Sequence, residues 1–101
     1  MIIRGLLLLL LIMARNTYAE PSAERQAALR ELVQQDCGAC HGLTRKGGIG
    51  PSLLPDALTA KTDDYLITTI LNGRPGTAMP PWRSFISQVE AEWLVDNLLR
   101  K

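Results

Sequence analysis

The residues with the most distinctive chemistry lie in one short stretch, "CGACH", which holds both cysteines of the chain and its only histidine. In a C-x-x-C-H motif the two thiols are spaced to add across the two vinyl groups of one haem, and the adjacent imidazole reaches the iron. The thioethers fix the haem plane relative to the backbone, so the next residue points at the metal. The spacing predicts one haem c attached through Cys37 and Cys40, with His41 as an axial ligand of the iron.

Other uses of a C-x-x-C pair agree less well with the sequence. A thioredoxin-like redox pair belongs near a βαβ unit, and no stretch of this chain alternates as a strand does. A structural zinc site needs four ligands, and the chain has no further cysteine or histidine to complete the set. The two cysteines are also too close in sequence for a disulfide that connects distant elements.

Elimination identifies the second axial ligand of the iron. Outside the N-terminal segment the chain has one methionine, Met79, and with a single histidine it cannot form a bis-histidine site. A methionine often only fills gaps in a core. Met79, however, lies in "GTAMPPW", a proline-stiffened loop far enough past His41 for the chain to pass from one haem face to the other. A His/Met pair is common in electron-transfer haem proteins and raises the reduction potential, so we expect Met79 to bind the iron.

The first 19 residues have the layout of a secretory signal peptide. A lone Arg4 precedes an apolar run at residues 6–13, and a small residue, Ala19, follows. The alternative is a membrane anchor, but the run is much shorter than the ~20 residues that a spanning helix needs. The pattern predicts export to the periplasm, cleavage near Ala19, no membrane span thereafter, and one domain at residues 20–101.

Composition limits what this domain can do. Without the first 19 residues it carries nine basic and ten acidic side chains, a balance that argues against a nucleic-acid partner. About 80 residues build only a small core, and such chains often depend on a metal or cofactor for stability. No group resembles a catalytic acid, base or nucleophile, so we expect an electron carrier rather than an enzyme.

Three amphipathic helices must position these residues. The periodicity predicts helices over 22–36, 62–72 and 87–99, separated by loops rich in glycine and proline. Ser87 followed by Glu90 is a capping box at the start of the third helix. The expected apolar faces are Ala28, Leu29, Leu32 and Val33; Leu66, Ile67, Ile70 and Leu71; and Ala91, Leu94, Val95, Leu98 and Leu99.

The motifs "CGACH", "GIGPSL" and "AMPP", with a final helix that carries Trp93, resemble a class I c-type cytochrome. The resemblance implies an all-α cytochrome c fold of three to four helices around one haem. It also assigns to the Pro51 carbonyl a hydrogen bond from Nδ1 of His41. Two positions depart from the family pattern, because Leu29 and Val33 stand where a glycine and an aromatic residue are usual. The crossing of the first and last helices should therefore be wider, or Trp93 must pack against aliphatic side chains.

Within the class, "CGACHGLTRKGGIGPSL" and "ILNGRPGTAMPPW" are most similar to the cytochromes c55X, small periplasmic cytochromes associated with cytochrome cd1 nitrite reductase. The resemblance implies a monomeric electron carrier that serves this reductase in denitrification. One alternative is an accessory role in haem d1 maturation, with a biosynthetic enzyme as redox partner. Another is a gas-binding or peroxidatic haem protein in which Met79 dissociates from the iron.

Two further features concern the expected haem crevice. Trp82 either covers the haem edge as an aromatic core residue or donates its indole N–H to a haem propionate. The stretches 41–55 and 65–89, which we expect to border the crevice, contain no acidic residue. Their basic residues are predicted to form a positive rim that steers the protein toward an acidic partner, or merely to offset the propionates. These residues are Arg45, Lys46, Arg74 and Arg83.

Overall fold

The computed structural model describes residues 20–101. The predicted signal peptide and its cleavage near Ala19 lie outside the described residues. No helix within the described part is both long and apolar enough to cross a membrane.

Four helical segments make up the described chain, which contains no strand, so the all-α prediction is confirmed for these residues. They are α1 (Ala23–Leu32), which continues through a π-helical turn (Val33–Cys37) into α2 (Gly38–His41); α3 (Pro55–Leu58); α4 (Asp63–Asn72); and α5 (Gln88–Leu94), which ends in a second π-helical turn (Val95–Leu99). The short α3 is an additional helix, at a position where the sequence predicts the end of a loop. Pro55 begins it, a position where its missing N–H removes no helical hydrogen bond.

The first helical segment is longer than predicted. Ser22 caps its start, with the side chain accepting the Arg25 N–H at 3.1 Å, as expected. The expected end at Asp36 is wrong, because the π-helical turn absorbs an extra residue and the chain stays helical to His41. The helix ends where Gly42 adopts a φ of 90°, which an L-residue rarely adopts.

The two later helices begin and end as predicted. The Thr62 side chain accepts the Tyr65 N–H at the start of α4, and Gly73, with a φ of 67°, ends it. At the start of α5, Ser87 and Glu90 form both hydrogen bonds of the capping box. The caps hold the two ends of the 73–87 loop, which contains the methionine of interest.

A second contact strengthens the α5 cap. The Arg25 guanidinium on α1 donates to the Glu90 carboxylate and, at 2.6 Å, to the carbonyl oxygen of Phe85. The hydrogen bond from Arg25, followed by the backbone N–H of Ser87, lowers the pKa of the Glu90 carboxyl below its ordinary value. The first helix is thereby joined to the end of the 73–87 loop.

The core lies between the helices, and α4 packs most closely on α5 and its π-helical turn. The predicted apolar faces are confirmed except at Ala28, which is exposed because the buried face of α1 runs through Leu29 instead. The buried apolar side chains are Leu29, Val33, Leu58, Leu66, Ile67, Leu71, Ile86, Ala91, Trp93, Leu94, Val95 and Leu99.

Trp93 shares this core with the two residues that depart from the family pattern. Leu29 is fully buried, and Val33 and Trp93 are nearly so. The Arg30 guanidinium lies 5.4 Å from the centroid of the Trp93 ring, a cation–π contact. Trp93 therefore packs among aliphatic side chains and beneath a guanidinium.

The end of the chain anchors a different loop. The Arg100 guanidinium donates to the carbonyl oxygens of Leu58 at 2.8 Å and Lys61 at 2.6 Å, and pairs with the Asp63 carboxylate. These contacts hold the connection between α3 and α4 against the end of the last helical segment. That connection forms part of the wall of the cavity described next.

Candidate haem site

A cavity of about 580 Å³ opens among the helices. Proteins hold small-molecule cofactors in cavities of roughly 300–1,000 Å³ that are lined mainly by apolar side chains. Aliphatic side chains from α3, α4 and the last helical segment supply much of this wall, among them Leu58, Leu66, Ile70, Leu94 and Leu99. All six residues that the sequence predicts to hold or contact haem line this one cavity: Cys37, Cys40, His41, Pro51, Met79 and Trp82.

The two cysteines and the histidine lie on one face of the first helical segment. Cys37 ends the π-helical turn, and Cys40 and His41 follow three and four positions later, the spacing of helix neighbours. Burial and, secondarily, the Asp36 carboxylate raise the pKa of the Cys37 thiol to about 11. This free thiol is therefore protonated at neutral pH.

The imidazole of His41 contacts the following loop. Its Nδ1 lies 2.7 Å from the carbonyl oxygen of Pro51. A protonated Nδ1 donates to this carbonyl, and Nε2 is then the nitrogen with a lone pair available to a metal. Such a hydrogen bond fixes the orientation of a ligating imidazole and raises its basicity.

Gly50 is a residue of the site that the sequence reasoning missed. A Cβ built at this position would lie 2.8 Å from both Cε1 and Nδ1 of His41, closer than side-chain atoms approach. The N–H of Gly50 also donates to the Cys40 carbonyl at 2.8 Å. The loop thus passes against the imidazole ring because position 50 has no side chain, and the glycine directly before Pro51 was the available signal.

Met79 lies half-buried in the cavity wall, in the 73–87 loop. Its N–H donates to Thr77 Oγ1 at 3.3 Å, and its carbonyl accepts the Arg74 N–H at 3.2 Å. Gly73 lets this turn close, since a Cβ there would lie 2.7 Å from the Met79 carbonyl oxygen. A tight local turn at the end of α4 therefore places Met79 in the cavity wall.

Trp82 is half-buried beside Met79 in the same wall. Its backbone N–H donates to the Ile70 carbonyl at 3.0 Å, and its ring centroid lies 5.8 Å from that of the exposed Phe85. Within residues 20–101 the indole N–H of Trp82 makes none of the observed hydrogen bonds, whereas its backbone is held by the bond to Ile70. The side chain combines an apolar surface with a donor that no group of the described chain uses.

The predicted positive rim is only partly correct. Of its four residues, Arg74 lines the cavity, whereas Arg83 donates to Asn72 Oδ1 at 2.6 Å and Arg45 reaches the carbonyl oxygen of Leu98. The fourth, Lys46, is exposed and is not among the residues that line the cavity. Arg45 was assigned to the rim because its sequence position lies near the motif. Its side chain instead contacts the last helical segment.

Two charged residues that were not assigned to the rim do line the cavity. Lys61 lies in the wall, with its Nζ 4.9 Å from the centroid of the Tyr65 ring, and Asp36 lines the wall beside Cys37. Lys61 was overlooked because it belongs to the acidic stretch 56–64. The cavity border therefore carries two cations, Lys61 and Arg74, and one carboxylate.

Comparison with protein families agrees with this site. A family model described as "Cytochrome C oxidase, cbb3-type, subunit III" matches residues 24–97, which include the complete C-x-x-C-H motif and the methionine loop. The match extends over most of the cavity-lining residues and all of α5.

Individual relatives are more specific. The chain is 54% identical over 79 residues to cytochrome c55X of Pseudomonas aeruginosa, covering 78% of this chain and 66% of that protein. It is 46% identical over 94 residues to cytochrome c55X of Paracoccus denitrificans, covering 93% of this chain and 91% of the relative. A solved structure, c-type cytochrome NirC, is 54% identical with a TM-score of 0.75 and covers 78% and 93% of the two chains. The predicted resemblance and the class I cytochrome c fold are confirmed.

The chain is also similar to short segments of longer proteins. It is 40% identical over 67 residues to dihydro-heme d1 dehydrogenase of Pseudomonas aeruginosa, which is 66% of this chain but 14% of that protein. It is 39% identical over 54 residues to nitrite reductase of Stutzerimonas stutzeri, about 10% of that protein. These proteins therefore contain a segment related to this chain within a much larger whole.

Proposed function

We propose that this protein is a monomeric carrier of single electrons in the periplasm, because the chain belongs to the c-type cytochromes together with the cytochromes c55X. Its proposed acceptor is cytochrome cd1 nitrite reductase, in denitrification. One observation supports this proposal most directly: two thiols, an imidazole and a thioether converge on one apolar cavity. The family implies covalently bound haem c with its iron, and the cavity fits this group in volume, lining and donor set.

Each residue of the site has a proposed task. Cys37 and Cys40 anchor the group through thioether bonds, and His41 binds the iron through Nε2 while Pro51 holds its Nδ1–H. Met79 provides the sixth ligand, a soft thioether that favours ferrous iron. Trp82 covers the edge of the group, and its indole N–H is available to a propionate. Haem iron, when bound, supplies the Fe(III)/Fe(II) couple.

The protein's contribution is to keep this environment unchanged during electron transfer. The helical caps and loop hydrogen bonds hold both ligating side chains in place, so little rearranges when an electron arrives. The apolar wall excludes water. If both His41 and Met79 hold the iron, no position is left for a substrate, which is why we propose a carrier and not an enzyme.

The optical spectrum of the purified holoprotein, oxidised and reduced, with and without carbon monoxide, tests the ligand set. We expect a low-spin six-coordinate spectrum with the ferric iron–thioether charge-transfer band, unchanged by carbon monoxide. A high-spin or readily carbonylated haem would instead support the gas-binding or peroxidatic alternative, in which Met79 leaves the iron.

The acceptor is tested by mixing the reduced protein with cytochrome cd1 nitrite reductase in a stopped-flow instrument. We expect oxidation of the carrier at a rate that depends on ionic strength, because Lys61 and Arg74 border the cavity. A rate that is indifferent to salt would remove the steering hypothesis, and no transfer at all would refute the proposed acceptor.

A second candidate function is electron exchange with an enzyme of haem d1 maturation. It is supported by the similarity to a segment of dihydro-heme d1 dehydrogenase. Deletion of the gene separates the two roles. Loss of haem d1 from the purified reductase would indicate maturation, whereas normal d1 content with slower nitrite reduction would indicate electron supply.

A further inference from the structure

Arg45 adopts an unusual backbone conformation. Its φ of 62° lies in the left-handed region, and among the described residues no other non-glycine residue has a positive φ. An L-residue in this region costs roughly 1–2 kcal/mol, a cost that glycine avoids. Contacts made by the arginine must therefore offset this backbone cost.

The carbonyl of Arg45 holds the segment that contacts His41. It accepts the N–H of Leu53 at 2.8 Å and the hydroxyl of Ser52 at 3.2 Å. These two residues directly follow Pro51, whose own carbonyl lies 2.7 Å from Nδ1 of His41. On its C-terminal side the Pro51 carbonyl thus belongs to a segment that the carbonyl oxygen of Arg45 holds, while Gly50 holds the other side through the Cys40 carbonyl.

The side chain of Arg45 joins the same loop to the last helical segment. Its half-buried guanidinium donates to the Leu98 carbonyl at 2.5 Å, and Leu98 lies in the π-helical turn that ends this segment. Carbonyls in the last turn of a helix lack helical partners, and a cation there also interacts favourably with the helix dipole. The loop is therefore fixed to the last helical segment through a partly buried contact.

We propose that Arg45 is a positioning residue for His41. It transmits the position of the last helical segment to the Pro51 carbonyl, and so sets the strength of the hydrogen bond on Nδ1 of the imidazole. This inference rests on the proposed ligation of iron by His41. Because a stronger hydrogen bond on Nδ1 raises the basicity of the imidazole, Arg45 also helps to set the reduction potential.

The test uses the reduced, ¹⁵N-labelled holoprotein, in which the Nδ1–H of His41 is observed by NMR. In R45Q we expect exchange of this proton with water to accelerate by about tenfold, as for one weakened hydrogen bond. We also expect the reduction potential to rise, because a less basic imidazole stabilises ferric iron less. R45K, which keeps a cationic donor, should recover part of both effects.

R100Q is the matched control. Arg100 also anchors a loop of the cavity wall, through the carbonyls of Leu58 and Lys61, but it makes no contact with the segment beside His41. We expect R100Q to lower the melting temperature without accelerating exchange of the His41 Nδ1–H. S52A removes the hydroxyl that donates to the Arg45 carbonyl and accepts the Leu54 N–H. It should change exchange in the same direction by less, and remains informative where R45Q does not fold.

The outcomes separate the inference from the function it rests on. Unchanged Nδ1–H exchange and potential in R45Q or S52A, with a normal low-spin spectrum, would overturn the role of Arg45 alone. Equal acceleration in R45Q and R100Q would also overturn it, because the effect would then be general loosening. A wild-type protein without an imidazole ligand on the iron would refute the ligand assignment and this inference together.

Discussion

The loop beside His41 and the loop that contains Met79 are built differently. The proximal loop, residues 42–54, is bonded to parts of the chain outside itself: Gly47 and Gly50 donate to the carbonyls of His41 and Cys40, and Arg45 reaches the last helical segment. In the distal loop, residues 73–87, both hydrogen bonds of the Met79 backbone stay within the loop, to Thr77 and Arg74, and beyond Met79 the contacts with α4 begin only at Trp82 and Arg83.

The two hydrogen bonds of the Met79 backbone measure 3.2 and 3.3 Å, whereas Nδ1 of His41 lies 2.7 Å from the Pro51 carbonyl oxygen and the bonds donated by Gly47 and Gly50 measure 2.9 and 2.8 Å. Two prolines after Met79 remove backbone donors while they stiffen the chain. The difference indicates that the imidazole of His41 is positioned by contacts with distant parts of the chain, whereas Met79 is positioned mainly by local conformation.

The largest effect is expected from removing the proximal anchor. In the double variant C37S/C40S we expect complete loss of covalent haem, measured by haem staining after denaturing electrophoresis. Without haem the apolar wall of this cavity is exposed to water, and a domain of about 80 residues has little other core to offset that cost. The apo chain should therefore lose its helical circular dichroism. A folded, stable apo variant would show that the core does not depend on the haem.

Removing the distal ligand should have a smaller but clear effect. In M79A we expect the reduction potential to fall by on the order of 0.1 V or more, within the ~0.8 V range that axial ligands span. Carbon monoxide should then bind readily. T77A, which removes the hydroxyl that accepts the Met79 N–H, keeps the thioether and should retain the wild-type spectrum. If M79A stays low-spin and does not bind carbon monoxide, a group other than Met79 is the sixth ligand.

The anchor at the end of the distal loop predicts a pH dependence. The folded pKa of the Glu90 carboxyl lies below its ordinary value of 4.5. Its contribution to stability is therefore complete above that value and is lost as the pH falls through the folded pKa. E90Q should show a flatter acid limb in urea unfolding measured from pH 7 to pH 3.

The neighbouring cap is the control for this measurement. S87A removes the hydroxyl that accepts the Glu90 N–H and should lower the unfolding free energy by about 1 kcal/mol at pH 7. Because Glu90 keeps its hydrogen bond from Arg25 in S87A, the acid limb should persist. An equally steep acid limb in E90Q and wild type would assign the acid sensitivity to other carboxylates.

The smallest effect is expected at Trp82. W82F keeps an aromatic ring in the cavity wall and removes the indole N–H. If this donor serves a haem propionate, the potential should shift by a small amount that varies with pH, as the propionate titrates. We expect such a shift without a change in the low-spin spectrum, measured by redox titration from pH 5 to pH 8. Identical titrations in both proteins would leave Trp82 as a packing residue only.

Much of the site was predictable because it depends on local spacing. The C-x-x-C-H motif puts two thiols and an imidazole on one helical face, and capping residues mark the starts of α4 and α5. Met79 was predictable as a candidate ligand by elimination. The end of the first helix was not predictable, because a π-helical turn replaces the expected stop at Asp36 and leaves no clear pattern in the sequence.

The sequence by itself determined the type of cofactor, the candidate ligands and the helical class, since each depends on residue identity or on short periodicities. Only the tertiary structure decided which residues surround the ligands. In the structure Arg45 contacts the last helical segment instead of the cavity rim, Lys61 lines the cavity, and Gly50 lies against the imidazole. Such contacts join residues far apart in the chain, and the packing of helices, not local propensity, sets their distances.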